Sequence, residues 1–298
     1  ERALYKGKCD LCGKDIISIY SNDKPFTVYC HDCWWSDKWT ASNFFKSYDF
    51  EKTFFVQWRE FLDIVPRMAL SVANMVDCQY CNLANDDKEC YLISATSGNE
   101  RTMFSNRVVS NKDSLDLYVG DKNELCYELV NCLQCYKVFF SKDSIQCQES
   151  AFLNSCSNCV NCFGCVNLKN KQYCIFNEQL PKDEYQRRIK DFDISSFSKL
   201  GHIKKEYRDF VLKNIHRFAT NIKSVECTGD NVRQGKNCKF CFDVVGDPSA
   251  QDCKFAFWAG YNAKGCYDIG PGGGLGVECS YEITDTGLGS NKALFAVM

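Results

Sequence analysis

The stretch Asn154-Ser155-Cys156-Ser157-Asn158-Cys159-Val160-Asn161-Cys162-Phe163-Gly164-Cys165 decides the fold. Its four Cys recur every third residue, which matches neither the 3.6-residue period of a helix nor the alternation of a flat strand. Outward from it the same short phrase returns: polar residues, then Cys, then an aromatic or polar residue and an apolar one. Copies stand at Cys78, Cys90, Cys126, Cys135, Cys147 and Cys174, and Thr102 and Ser114 take the Cys place in two more. Successive phrases are mostly nine or twelve residues apart. Every Cys from Cys78 to Cys174 lies a multiple of three residues from every other. The phrase reappears at Cys238, Cys253, Cys266 and Cys279, spaced by 15, 13 and 13, and closes with Ala293 in the Cys place.

A repeat too short to fold alone implies stacked coils. The expected fold is mostly β: a Cys-lined parallel β-solenoid, or β-helix, with an N-terminal zinc ribbon and a helical insertion. Two phrases per coil predict roughly 21–24 residues per turn. Cys is small and readily buried, so it suits a narrow interior. Asn and Asp before it suit corners, because they tolerate the left-handed conformation.

The ribbon is read from Cys9-Asp10-Leu11-Cys12 and Cys30-His31-Asp32-Cys33, with seventeen residues between the knuckles. Paired C-x2-C knuckles at this separation point to zinc, and four thiolates make a closed, structural site. Ile16–Tyr20 and Phe26–Tyr29 are expected to pair as a hairpin between the knuckles. His31 reads as a bystander. Trp34, Trp35 and Trp39 read as a borrowed core for a small domain.

The domain reading follows. Residues 1–40 form the ribbon and 41–75 a helical connector, with a helix over 51–64 ended by Pro66 and a short second helix over 67–75. Residues 76–180 and 221–298 form two parts of the solenoid. Residues 181–220 form a helical insertion carrying ten Lys+Arg against six Asp+Glu, with a second helix over 204–218.

Four features bear on chemistry. Cys156, Cys159, Cys162 and Cys165 are a possible second metal site. A last gap of two and the lack of a following Pro argue against an iron–sulfur cluster there. The Gly-rich run 270–276 lacks the order of a phosphate-binding loop. Asp243, Asp268 and Glu282 follow Cys on nearby phrases and raise the alternative of a polysaccharide-active β-helix enzyme. The three His are scattered, and no catalytic residue is assigned.

The 298 residues carry 36 Lys+Arg against 38 Asp+Glu, so no general electrostatic case for nucleic acid exists. A nucleic-acid-associated zinc-ribbon protein stays a further alternative, resting on the Trp cluster and the basic helices. No uncharged apolar run approaches the ~18 residues of a membrane span, so no membrane partner is expected. The 22 Cys exceed ordinary enzyme usage, but the chain is too long for a small secreted disulfide scaffold. Reduced thiols and a cytoplasmic location are expected.

The run Val28–Trp39 resembles a family of uncharacterised Cys-rich proteins of genome-reduced candidate-phylum bacteria. Cys162–Asn177 and Glu226–Asn231 are similar to the same family. The resemblance implies further Cys pairs upstream of Glu1 and no established activity. The favoured reading is a structural or binding scaffold with structural Zn²⁺. It would recognise an unknown extended partner along its faces, or self-assemble through the solenoid ends.

Overall fold

The structure is a computed structural model that describes residues 3–257, 265, 267–270, 281–283, 292 and 294–295. The chain divides into two units, Glu1–Asn214 and Ile215–Met298. The first is dominated by a twelve-stranded, mostly parallel sheet.

Backbone conformation explains the three-residue period. Every third residue from Asn74 to Phe176 has φ between +45° and +67°. Each left-handed residue swings the chain, and the residue after it points inward. The strand Lys112–Asp121 is accordingly buried at every third position, not every second. The Cys spacing is this inward position: Cys126, Cys132, Cys135, Cys147, Cys156, Cys159, Cys162 and Cys165 are all at most 2% exposed. Asn and Asp fill many left-handed positions because they adopt that conformation more cheaply than other non-Gly residues. Gly98 and Gly164 occupy the same series.

The parallel register advances by twelve residues throughout, from Val72↔Ala84 to Phe163↔Ile175. Hydrogen bonds follow the same step. The Glu124 amide donates to the Cys135 carbonyl at 3.0 Å, and the Lys137 amide donates to the Glu124 carbonyl at 3.0 Å. The expected 21–24-residue repeat is therefore wrong. Four triplets, each ending in one left-handed corner, already bring the chain back into register, so nine- and twelve-residue phrase spacings are three or four triplets.

Twelve residues per register step place inward side chains in four columns. One runs Asp87, Asn99, Asn111, Asn123, Cys135, Cys147, Cys159. Its polar half is a ladder. The Asn111 amide donates to Asn99 Oδ1 at 2.9 Å, and the Asn123 amide donates to Asn111 Oδ1 at 2.9 Å. Asn99, Asn111 and Asn123 also donate through Nδ2 to the carbonyls of Val108, Gly120 and Cys132. The buried Asp87 carboxylate starts the ladder, taking hydrogen bonds from Thr96 Oγ1 and from the Asn99 amide and Nδ2.

The flanking elements differ from expectation in several places. β1 (Tyr5–Lys8) pairs antiparallel with β2 (Asp15–Ser18), so the hairpin turns through the first knuckle. The predicted partner of Ile16–Tyr20 is instead β3 (Val28–Tyr29), which pairs in parallel with β4 (Arg67–Met68). The connection 9–14 is closed by its own backbone hydrogen bonds, Cys9 amide to Lys14 carbonyl and Gly13 amide to Cys9 carbonyl, with Gly13 at φ +75°. α1 spans His31–Trp34 and α2 spans Phe54–Ile64, inside the predicted 51–64. The second helix expected over 67–75 is absent: β4 and the strand Val72–Ala73 lie there, recruited by parallel partners that a local pattern does not reveal.

α3 (Lys182–Arg188) and α4 (Phe197–Leu212) form the helical segment. α4 starts and ends earlier than predicted, and Ile215 and Phe218, expected on its apolar face, are 87% and fully exposed. Its buried side is Leu200, Ile203 and Tyr207, packed on Phe152, Phe163 and Ile175 of the sheet.

The second unit holds the parallel strands Asn221–Ile222, Gly229–Lys236 and Cys241–Gln251. Their core gathers Val232, Cys238, Cys241, Val244 and Cys253. The register here is uneven, shifting between Arg233 and Gly235. Cys266, Cys279, Ala293 and the run 271–276 lie outside the described residues.

Candidate metal centre

The first knuckle is built by the β1–β2 hairpin. The Cys9 amide donates to the Lys14 carbonyl at 2.9 Å and the Gly13 amide to the Cys9 carbonyl at 2.8 Å, wrapping the chain around the Cys9 sulfur. The second knuckle comes from the start of α1: Cys30 is its N-cap and Cys33 its third residue. Asp10 fastens the two together, its carboxylate accepting from the Val28 amide at 2.6 Å.

The four sulfurs of Cys9, Cys12, Cys30 and Cys33 all lie within 4.8 Å of one another. Cys12 and Cys30 Sγ are 3.9 Å apart. Tetrahedral thiolates at about 2.3 Å from an ion stand about 3.8 Å apart, so the set could hold a metal ion with small adjustment. Burial opposes ionisation of Cys9, but hydrogen bonds from the Cys30, Cys12 and Leu11 amides bring its thiol down to about 6. Burial first, then the other sulfurs, pushes Cys33 up to about 12. A cation bound among the four sulfurs would favour every thiolate.

His31 stands outside the four-sulfur group, with Nδ1 3.9 Å from Asp32. Trp39 packs on Tyr29, Trp34 and Phe44 and donates Nε1–H to the Cys33 and Trp34 carbonyls. It therefore braces the second knuckle, while Trp35 is 70% exposed.

Cys156, Cys159, Cys162 and Cys165 occupy the four inward positions of one twelve-residue step. Each S–H has carbonyl acceptors, for example Cys156 to Asn154 and Cys165 at 3.5 Å each, and Cys159 to Ser157 at 3.4 Å. Among the described residues, the group of three or more donors close enough for one ion is the N-terminal one, not this one. The Cys159 sulfur and burial hold the Cys156 and Cys162 thiols far above the usual range. Burial does the same to Cys126, pushed up to about 12. The same sulfur contacts draw the Cys159 and Cys165 thiols down, while thiols held neutral by burial pack and donate and are poor nucleophiles.

The carboxylate series is not assembled as a site by the described residues. Asp243 accepts from Asn231 Nδ2 at 2.8 Å, Glu282 is exposed, and the Asp268 side chain lies outside the described set. The Asn ladder was missed by sequence reasoning. Its signal was present: Asn99, Asn111 and Asn123 are spaced by twelve in phase with the Cys.

No protein-family model and no curated protein matches the chain. Among solved structures it has a faint likeness to the polySia specific acetyltransferase NeuO, at 13% identity over 76% of this chain and 74% of that one. The TM-score is 0.11, too low to carry an argument.

Proposed function

We propose that this chain is a binding scaffold: a narrow β-solenoid with four side-chain columns inside and continuous faces outside, headed by a structural zinc ribbon. The observation that carries this reading is the unbroken twelve-residue register from Val72 to Ile175. A constant register turns each outward position into a straight row, and such rows suit an extended partner better than a small substrate. One face carries a charge ladder in which Arg101 pairs with Asp113 and Glu100, and Lys112 with Glu100. Another carries an aromatic row.

The four converging thiols at the N-terminus support Zn²⁺, whose preference for tetrahedral sulfur matches the donor set. With four protein ligands the ion has no open position, so its task would be to hold residues 5–34 together. The described cysteines are free thiols, which supports a reducing compartment such as the cytoplasm. Among the described residues, no helix is long and apolar enough to cross a membrane.

The test of the solenoid is deletion by register. Removing residues 133–144, one full step, should leave a folded, cooperatively unfolding protein. Removing seven residues, 133–139, should destroy it, because every inward residue downstream loses its column. Equal tolerance of both deletions would overturn the reading.

A further inference from the structure

We propose that the uncovered half of the aromatic face is a docking strip for a lysine-bearing amphipathic helix of a partner protein. The inference rests on the scaffold reading and names what one face of it takes.

The register sets two adjacent rows on this face. Over its later steps the rows are covered by the chain's own helices, with Phe152 and Phe163 packed under Ile203 and Tyr207. Over its earlier steps Tyr80, Tyr91, Leu92, Met103 and Phe104 are 37–49% exposed. The two halves share backbone conformation, register and chemistry, and differ in whether a helix covers them.

Charge identifies the occupant. In the covered half, Lys204 of α4 meets both oxygens of Glu128, at 2.9 and 2.7 Å. The same ammonium lies 4.5 Å from the centre of the Phe140 ring, one register step further on. The uncovered half holds the same two kinds of group, in the opposite order along the row. Asp116 stands twelve residues before Glu128, and Phe104 one step before Asp116. Among the described residues Asp116 makes no ion pair, and burial together with the Glu128 charge raises its carboxyl above the ordinary value. A carboxylate beside an aromatic ring is a place for an ammonium group, joining an ion pair to a cation–π contact.

Space is present as well. A cavity of about 360 Å³ is lined by Tyr80, Leu92, Phe104 and Asp116, with Leu4 at its edge. An apolar side chain thus already sits beside the strip. The helix that fits would repeat the contact pattern of α4: apolar residues at the places of Leu200, Ile203 and Tyr207, and Lys at the place of Lys204. Helix-in-groove recognition of this kind relies on i, i+3, i+7 anchors for affinity and on charge for register.

The probe is a synthetic peptide of residues 197–212, titrated into the full chain and followed by fluorescence anisotropy. Binding is expected, weakened at least ~10-fold by Asp116→Asn in the protein or by Lys204→Met in the peptide. The two changes together should weaken it no further than either alone. Asn is chosen because residue 116 has φ +55°, a conformation Asn accepts, so the variant should fold. Tyr91→Lys, which opposes the ammonium, should also abolish binding. No binding at ~1 mM peptide, or binding indifferent to Asp116→Asn, overturns the proposal. So does a concentration-dependent dimer of the full chain lost in Asp116→Asn, which would assign the strip to a second copy. Tolerance of the twelve-residue deletion is read separately, so failure of docking and failure of the solenoid reading are told apart.

Discussion

Asn111→Ala is the perturbation whose cost the structure specifies best. The Asn111 side chain accepts from the Asn123 amide at 2.9 Å and donates to the Gly120 carbonyl at 3.2 Å. It also donates to Asn99 Oδ1 at 3.1 Å. All of these groups are buried away from water. Truncation leaves the Asn123 amide with no acceptor and takes a donor from the Gly120 carbonyl. Asn99 Oδ1 loses less, because it keeps the bond from the backbone amide of residue 111. A buried donor left unmade costs about 1–3 kcal/mol, and the missing amide leaves a small void. The expected loss is about 2–4 kcal/mol. Asn111→Cys should lose about half as much, because sulfur in these columns performs both tasks weakly. Cys135 Sγ lies 3.7 Å from the Ser144 carbonyl, and Cys78 Sγ accepts from the Cys90 amide at 3.4 Å. Urea unfolding under reductant measures the loss, and amide exchange at residue 123 locates it. A cost for Asn111→Ala under about 0.5 kcal/mol, or an unchanged exchange rate at residue 123, would refute the ladder as a stabilising device.

The other predictions rest on the same structure. Cys147→Ala should cost on the order of 1 kcal/mol and Cys147→Leu about 1–3 kcal/mol, through overfilling; a sharp fall in the wild-type unfolding midpoint on adding reductant would show disulfides instead of a thiol core. Cys30→Ser should remove one equivalent of zinc, measured by elemental analysis, and loosen residues 1–40 while leaving the parallel sheet folded. Zinc should also be lost as pH falls, since protons compete for thiolates, and pH-independent retention would contradict thiolate ligation. Val119→Asn should raise stability by about 0.5–1 kcal/mol, because Val119 holds a β-branched side chain at φ +55°; an unfolding midpoint that drops would count against backbone strain there. Arg101 holds the Asp113 carboxyl below its ordinary value, so the pair's contribution is full above about pH 4 and fades as pH falls through the depressed value. As an exposed pair it contributes little, and Arg101→Met should remove that pH dependence from urea midpoints.

Two parts of the molecule were legible in the amino-acid order. The knuckles Cys9/Cys12 and Cys30/Cys33 are local, and a two-residue gap by itself turns both sulfurs of a knuckle to one side; the structure brings all four together. The three-residue Cys period is local too, since it follows from one left-handed residue per triplet. What one residue's backbone does to its neighbour can be read along the chain. The register of the parallel sheet cannot. Val138 and Ser150 share a column with Thr102, Ser114, Cys126 and Cys162, and nine-residue spacings join phrases of different columns, so phrase spacing left the twelve-residue step open. Which triplet stacks on which is settled by hydrogen bonds between residues eleven and thirteen apart. Pairing of Val28–Tyr29 with Arg67–Met68 was likewise decided by partners distant in sequence. So was the length of α4: helical spacing continues past its end, but the residues of the helix that pack on the sheet end with Tyr207 and Phe210. Spacing records what a segment can bury; only the packed structure supplies the surface that does the burying.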